Sequence, residues 1–463
     1  NAQKQTKHLP FDPQKQLSQF LIDKWDSEKG LPSGSILEII QTKDGYLWIG
    51  SYDGLIRFDG NSFDLHTKST VKTFKTNNIT RLTESKDSTL WIGTQGSGLL
   101  SYKNGVFSSH GLEKEYIEAI YVTETNDSVY IGTRSGGLYL YEVKDKKIKS
   151  IFPKQLASEA IYDILEYPKG KIWLATRNQG VLTFEKNNLI KTQSELENPL
   201  TLKLYLDDQK QVWVGTYNGL LKYENDKLVR KFPQLATTRI HDMKRDLAGN
   251  FWIVTRNNIY RHNVLTKEME LLTTQRGEAF DDVRSICLDQ EDDLWIPTTR
   301  QGLCRLRDGK FTNYTTHEGL AYPSVNSVSV YNKTDVLVGT SNGTIHRIDA
   351  KQNKIFDYPL QTNLNGKEIF NIRQDTAATV WIVTYDGLLR KEQDGSEKLF
   401  TTKDGLPTNI LRLTYQDTKG RFWIGTRGQG LVQYKKDSLT NKNNFEKIGL
   451  ERGFVSDFVM AID

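Results

Sequence analysis

The sequence predicts an all-β fold, a β-propeller built of four-stranded antiparallel blades, and three observations carry that expectation. One phrase recurs ten times along the chain. Each recurrence sits in a unit of about 40 residues holding four short β-rich runs joined by Gly, Asp and Asn turns, the size of one propeller blade. No run has the length and apolar periodicity of a long amphipathic helix, which excludes a helical solenoid.

The phrase is LWIGSYDGLIRF at Trp48, LWIGTQGSGLLSY at Trp91, VYIGTRSGGLYLY at Tyr130 and IWLATRNQGVLTF at Trp173. It returns as VWVGTYNGLLKY at Trp213, FWIVTRNNIYRH at Trp252 and LWIPTTRQGLCRL at Trp295. The last copies are VLVGTSNGTIHRI at Leu337, VWIVTYDGLLRK at Trp381 and FWIGTRGQGLVQY at Trp423. Successive anchors lie 43, 39, 43, 40, 39, 43, 42, 44 and 42 residues apart.

Residues 35–68 show what one unit contains. SILEIIQT is a first strand, and Asp44-Gly45 supplies its turn. YLWIGS is the second strand, closed by the turn at Tyr52 to Gly54. LIRF follows as the third, then the turn DGN and the fourth run SFDLHT. Such a sheet is apolar on both faces, so it must be sandwiched between neighbours in a radial array. The recurring Trp sits where an aromatic packs between blades. The Gly-Thr after it reads as structural too, Gly for close approach and Thr for hydrogen bonding.

Composition is that of a large folded core, with 37% hydrophobic and 11% aromatic residues among 463. Lys and Arg number 62 against 57 Asp and Glu, a net charge of +5 spread along the chain, which demands no nucleic-acid partner. No apolar stretch approaches the roughly 18 residues of a membrane span. Cys287 and Cys304 fall on the first and third strands of one blade, which are not neighbours in a meander, so two buried thiols are favoured over a disulfide.

Ten phrases exceed the usual four to eight blades of one ring. SEKGLPSGSILEI at Ser27 is echoed by THEGLAYPSVNSVSV at Thr316, after the seventh phrase. The expected organisation is an N-terminal tail over 1–16, a seven-bladed propeller over 17–318, and the first blades of a second propeller over 319–463, truncated. SQFLIDKW (Ser18 to Trp25) resembles the fourth-strand runs and is placed to complete a later blade and latch the ring.

The combination GLP-x-x-x-hydrophobic, D-x-x-G-x-hydrophobic-W-I-G-T and GL-x-R/K-Y/F resembles the two-component regulator propeller repeat, from about Trp25 to the end of the chain. The resemblance implies the periplasmic ectodomain of an inner-membrane sensor, of hybrid histidine kinase type or feeding a diguanylate cyclase. It further implies an oligosaccharide or other small polar ligand, a homodimer in the full-length protein, and membrane attachment only through a helix beyond this segment.

A ligand site is expected on the face where the turns between second and third strands emerge, since function in such folds lives on loops of a rigid scaffold. Four Arg and three Tyr occupy the ten variable first positions of those turns, where Gly, Asn and Asp are usual. The candidate binding residues are Tyr52, Arg134, Arg177, Tyr217, Arg256, Arg300, Tyr385 and Arg427. Arg offers a fork of donors to carboxylate or sulfate, and Tyr a flat face and a hydroxyl to a sugar ring. The competing reading makes the same side chains struts between blades.

Catalytic and metal chemistry leave no trace, so no catalytic residue, metal ligand or cofactor is expected. The seven histidines make no metal-ligand spacing and are read as solvated. DQEDDL at Asp289 lacks the Gly and distal Glu of a calcium loop and is read as a solvated hairpin. Neither GxxxxGK nor GxSxG occurs. TKDGYLW and DTKGRFW resemble the Asp-box turn of sialidases, which is structural there. A polysaccharide lyase or glycosidase on the same fold, and a protein-interaction platform, are the alternatives.

Overall fold

The computed structural model describes residues 10–186, 188–194, 200–274, 278–280, 282–299, 302–309, 311–436, 443–453 and 456–462. The chain divides into two compact units, Asn1–Phe311 and Thr312–Asp463. Among the described residues the first unit holds seven antiparallel sheets and the second three. The first blade is Ile36–Gln41, Leu47–Ser51, Leu55–Phe58 and Phe63–His66, paired in chain order. The next five span residues 79–109, 117–151, 161–191, 201–231 and 240–272. In the fifth, Gln193–Ser194 adds a short parallel edge to Lys227–Lys231.

The seventh blade is closed by the other end of the chain. Leu21–Trp25 pairs antiparallel with Leu303–Arg307 as the fourth strand of a sheet whose first two strands are Cys287–Leu288 and Leu294–Pro297. Asp23 accepts from Arg305 at 2.8 Å and Arg307 at 2.6 Å. Trp25 stacks on Trp295 at 5.2 Å, and the Arg305 guanidinium lies over both rings. Residues 11–16, assigned to the tail by the sequence, belong to the fold, while 1–9 lie outside the described residues. Phe11 is fully buried against Trp252 and Phe20, because blades six and seven leave an apolar slot there.

The recurring phrase is legible in this packing. The second strand is buried along its length in most blades, and its Trp fills the gap to the next blade. Trp48 packs on Ile79 and Leu90, Trp213 on Ile240 and Phe251, and Trp295 on Ile36 and Ile49, which closes the circle. The Gly after it lets blades approach. A Cβ on Gly132 would lie 2.7 Å from the Ile161 carbonyl oxygen. The following Thr locks the turn by donating across it, as Thr176 does to Gly180 at 2.7 Å and Thr426 to Gly430 at 2.7 Å. An Asp in the turn before the second strand accepts from the Trp indole six residues on, at 2.9 Å for Asp207–Trp213 and 2.8 Å for Asp246–Trp252 and Asp375–Trp381.

Several polar residues sit differently from the expectation. Cys287 and Cys304 are free and buried in separate clusters, as the sequence favours; the other polar residues are where the structure departs from it. The histidines are not mainly solvated. His110 bridges Ser101 and Tyr141, His262 packs on Phe232 and His346 is buried, whereas His317 is exposed and His8 lies outside the described residues. Aromatic-rich outer strands give an imidazole more contact than water does. In DQEDDL, Asp292 and Asp293 are buried because the hairpin is pressed against blade six, where Asp292 accepts from the Leu247 amide at 3.0 Å.

In the second unit the blades are residues 325–357, 371–400 and 411–448. They repeat the same packing: Trp381 sits between its own blade and Leu411, Phe422 and Ile424 of the next.

Candidate functional site

The first strand of each blade lines the axis of the first unit. In blades one to six its pairing register slips after the first residue, at Ile36/Glu38, Ile79/Arg81, Ile117/Ala119, Ile161/Asp163, Thr201/Lys203 and Ile240/Asp242. A bulge re-aims side chains locally. Here it gives each blade side chains lining the axial cavities, and in most blades one is charged.

The result is a charged belt. Arg81 lies 3.8 Å from Glu38 and 3.6 Å from Glu118, and Lys203 lies 3.5 Å from Asp163 and 3.7 Å from Asp242. Ser285 donates to Glu38 at 3.0 Å, while the amides of Leu204 and Ile286 donate to Asp163 and Asp242. Burial alone would lower the Lys203 ammonium, but Asp163, Asp242 and Glu38 outweigh it and hold the ammonium raised. Burial pushes the Glu38 carboxyl up, against Arg81 and Lys203.

Two cavities meet at this belt and share Glu38, Arg81 and Lys203. One, of about 580 Å³, runs toward Gln41, Lys244 and Cys287. The other, of about 560 Å³, opens on the face of the second-to-third-strand turns.

Arg134, Arg177 and Arg256, expected from the turns, all line the second cavity. Their bonding differs. Arg134 donates to Glu118 at 2.7 Å and lies 3.6 Å over the Tyr116 ring, so it is a strut. Arg256 stands 3.8 Å from Asp282 and is 74% exposed. The Arg177 guanidinium has no partner among the described residues. Tyr217 is half exposed beside Arg239, whose guanidinium lies 5.8 Å from its ring. Tyr52 is exposed at its own turn and does not line the cavity. Arg300 lies outside the described residues. Tyr385 and Arg427 belong to the other unit, Tyr385 edge-on to Phe370 at 4.4 Å, so the eight residues do not form one propeller's rim.

Arg239, His241, Asp282 and Arg284 also line this mouth, and the turn pattern does not reveal them. They stand just before, or at the bulge of, a first strand. The available signal was a charged or aromatic residue within two positions of the β-branched residue that opens each blade. Arg284 donates to Asp282 at 3.2 Å. His241 is lowered to about 4, by burial first and then by Arg239 and Arg284.

Asp289, Glu291 and Asp293 bring carboxylate oxygens within 4.8 Å of one another. Asp289 is committed to the Trp295 indole at 2.7 Å and the Asp293 amide at 2.8 Å, which makes the group a hairpin device.

The family model described as two component regulator propeller matches residues 30–53. The extracellular domain of a hybrid two-component system from B. thetaiotaomicron superposes with a TM-score of 0.68 at 20% identity, over 95% of this chain and 68% of that one. A virginiamycin B lyase from Staphylococcus aureus gives a TM-score of 0.50 at 12% identity, over 62% of this chain and 99% of that one. Histidine kinase P4 of Formosa agariphila is 23% identical over 196 residues, 38% of this chain and 14% of that protein. The match therefore spans a small part of that relative. The structural likenesses are those of fold.

Proposed function

We propose that this chain, which carries the two-component regulator propeller repeat, is the extracytoplasmic sensory part of a membrane-spanning two-component regulator. It binds an oligosaccharide-like ligand and does not transform it. The observation that carries this reading is the cavity of about 560 Å³ on the loop face, a size usual for small-ligand sites. Guanidiniums stand around it, and Arg177 has no partner among the described residues.

The carboxylates around the cavity support binding over chemistry. Glu118 and Asp282 are paired with arginines, Asp242 faces Lys203 and accepts from the Ile286 amide, and Glu38 accepts from Ser285 and lies 3.8 Å from Arg81. A glycoside-cleaving pair would need one carboxyl free to give a proton and another to attack or activate water. In the sensor, close-packed blades move as bodies, and ligand signals by favouring one arrangement of two chains over another. Homodimerisation, a periplasmic setting and a kinase or cyclase output follow from this reading.

Isothermal titration calorimetry against purified plant, algal and host-glycan oligosaccharides, with product analysis of the same mixtures, tests it. Saturable binding without cleavage, weakened at least tenfold by Arg177→Ala, is expected. Cleaved product would replace the sensor by an enzyme. Binding only to a protein partner would make the face an interaction platform.

A further inference from the structure

We infer that the axial cavity of the first unit is an anion-selective site, which takes the carboxylate- or sulfate-bearing end of a polyhydroxylated ligand. This rests on the binding role proposed above and adds the ligand's charge. Seven cationic side chains line the cavity against four carboxylates. The imbalance is concentrated at the mouth, because Arg81 and Lys203 are spent on the belt below. Neither Arg177 nor Arg239 has a carboxylate partner among the described residues. Arg256 and Arg284 share the single carboxylate of Asp282, at 3.8 and 3.2 Å. Guanidiniums crowded without counter-charge repel one another, and a planar anion relieves that while accepting paired N–H donors.

His241 supplies the second half of the argument. Its Nε2 is buried and has no hydrogen-bond partner among the described residues. A buried ring nitrogen left unbonded is costly, which marks this side of the mouth as polar and unsatisfied. Held neutral by burial and by Arg239 and Arg284, this imidazole lines the mouth and adds no charge there. Cations at the rim and a neutral hydrogen-bonding group beside them fit an acidic sugar better than a neutral sugar or a bare ion.

The test uses matched probes on the whole chain: oligogalacturonate against its methyl ester, and a sulfated galactan oligosaccharide against its desulfated form. Inorganic sulfate is the competitor, with ionic strength held constant. One charged member is expected to bind at least tenfold tighter than its neutral partner, and which pair responds separates carboxylate from sulfate. Arg239→Gln and Arg284→Gln should each cost about tenfold in affinity for the charged member only. The His241 ring signals in NMR should move on adding sulfate, their titration rising by about one pH unit as the anion offsets the arginines. Equal or tighter binding of the neutral members overturns the anion inference and leaves the sensor reading standing. No binding by any member, with His241 unmoved by sulfate, also overturns it. Sulfate-sensitive His241 together with cleavage of a probe would keep the anion site and remove the sensor reading.

Discussion

Phe11→Ala tests whether the extreme N-terminal segment is a working part of the ring. Phe11 is fully buried, with its ring 5.2 Å from Trp252 and 5.4 Å from Phe20, both edge-on. Its carbonyl oxygen accepts from the Asn250 side chain at 2.9 Å. Truncating a buried Phe costs about 3–5 kcal/mol, a range that already contains the loss of its aromatic pairs. The lower end applies here. The segment stays anchored by Pro13 to Asn263, Lys15 to Arg261 and Lys15 to Asp308, so it can partly collapse into the space. The expected loss is about 3 kcal/mol, read from equilibrium urea unfolding followed by tryptophan fluorescence, with hydrogen exchange rising in residues 251–262 and 294–307. Phe11→Leu should recover more than half of it. A loss below about 1 kcal/mol, or equal losses for Ala and Leu, would show that the slot between blades six and seven closes without this side chain.

Two further outcomes follow from the buried charges. Burial, with neighbouring acids, raises the carboxyls of Asp292 and Asp293 to about 7, against 3.8 in the unfolded chain. The native state thus holds protons that the unfolded chain releases, so this contribution is complete below about pH 4 and is lost as pH rises through about 7. The stability difference between Asp292→Asn and the parent should change by on the order of 2 kcal/mol between about pH 4.5 and about pH 8, in favour of the variant at the higher pH. Parallel melting-temperature profiles for the two would refute this. Lys203→Met removes the cation between Asp163 and Asp242. With the side chain 27% exposed to the channel, the loss should be about 2 kcal/mol in urea unfolding, less than for a fully buried pair. Arg177→Ala, at the solvated mouth, should leave the same curve within about 0.5 kcal/mol.

The repeat, the four-stranded blade, the Trp that cements neighbours and the Gly-Thr turn were all legible in the sequence, because each belongs to a local phrase copied ten times, with Trp at eight of the ten anchors. Period and turn chemistry act over a few residues, and repetition raises them above noise. Three of the turn arginines also reach one cavity, since a residue fixed at the same turn of successive blades must point to the same mouth. Tertiary structure decided what depends on contacts far apart in the chain. It fixed the blade at 287–307 for residues 18–25, which the sequence already placed as a latching fourth strand, and it brought Phe11 into the core beside Trp252, across more than 240 residues. It also split the arginines by role, giving Arg134 to Glu118 and leaving Arg177 open. His241 joined the site because a one-residue slip in register at Ile240/Asp242 re-aims side chains at the axis, and Arg239 and Arg284 because the segments entering first strands run past the same mouth; both are set by strand pairing rather than by composition.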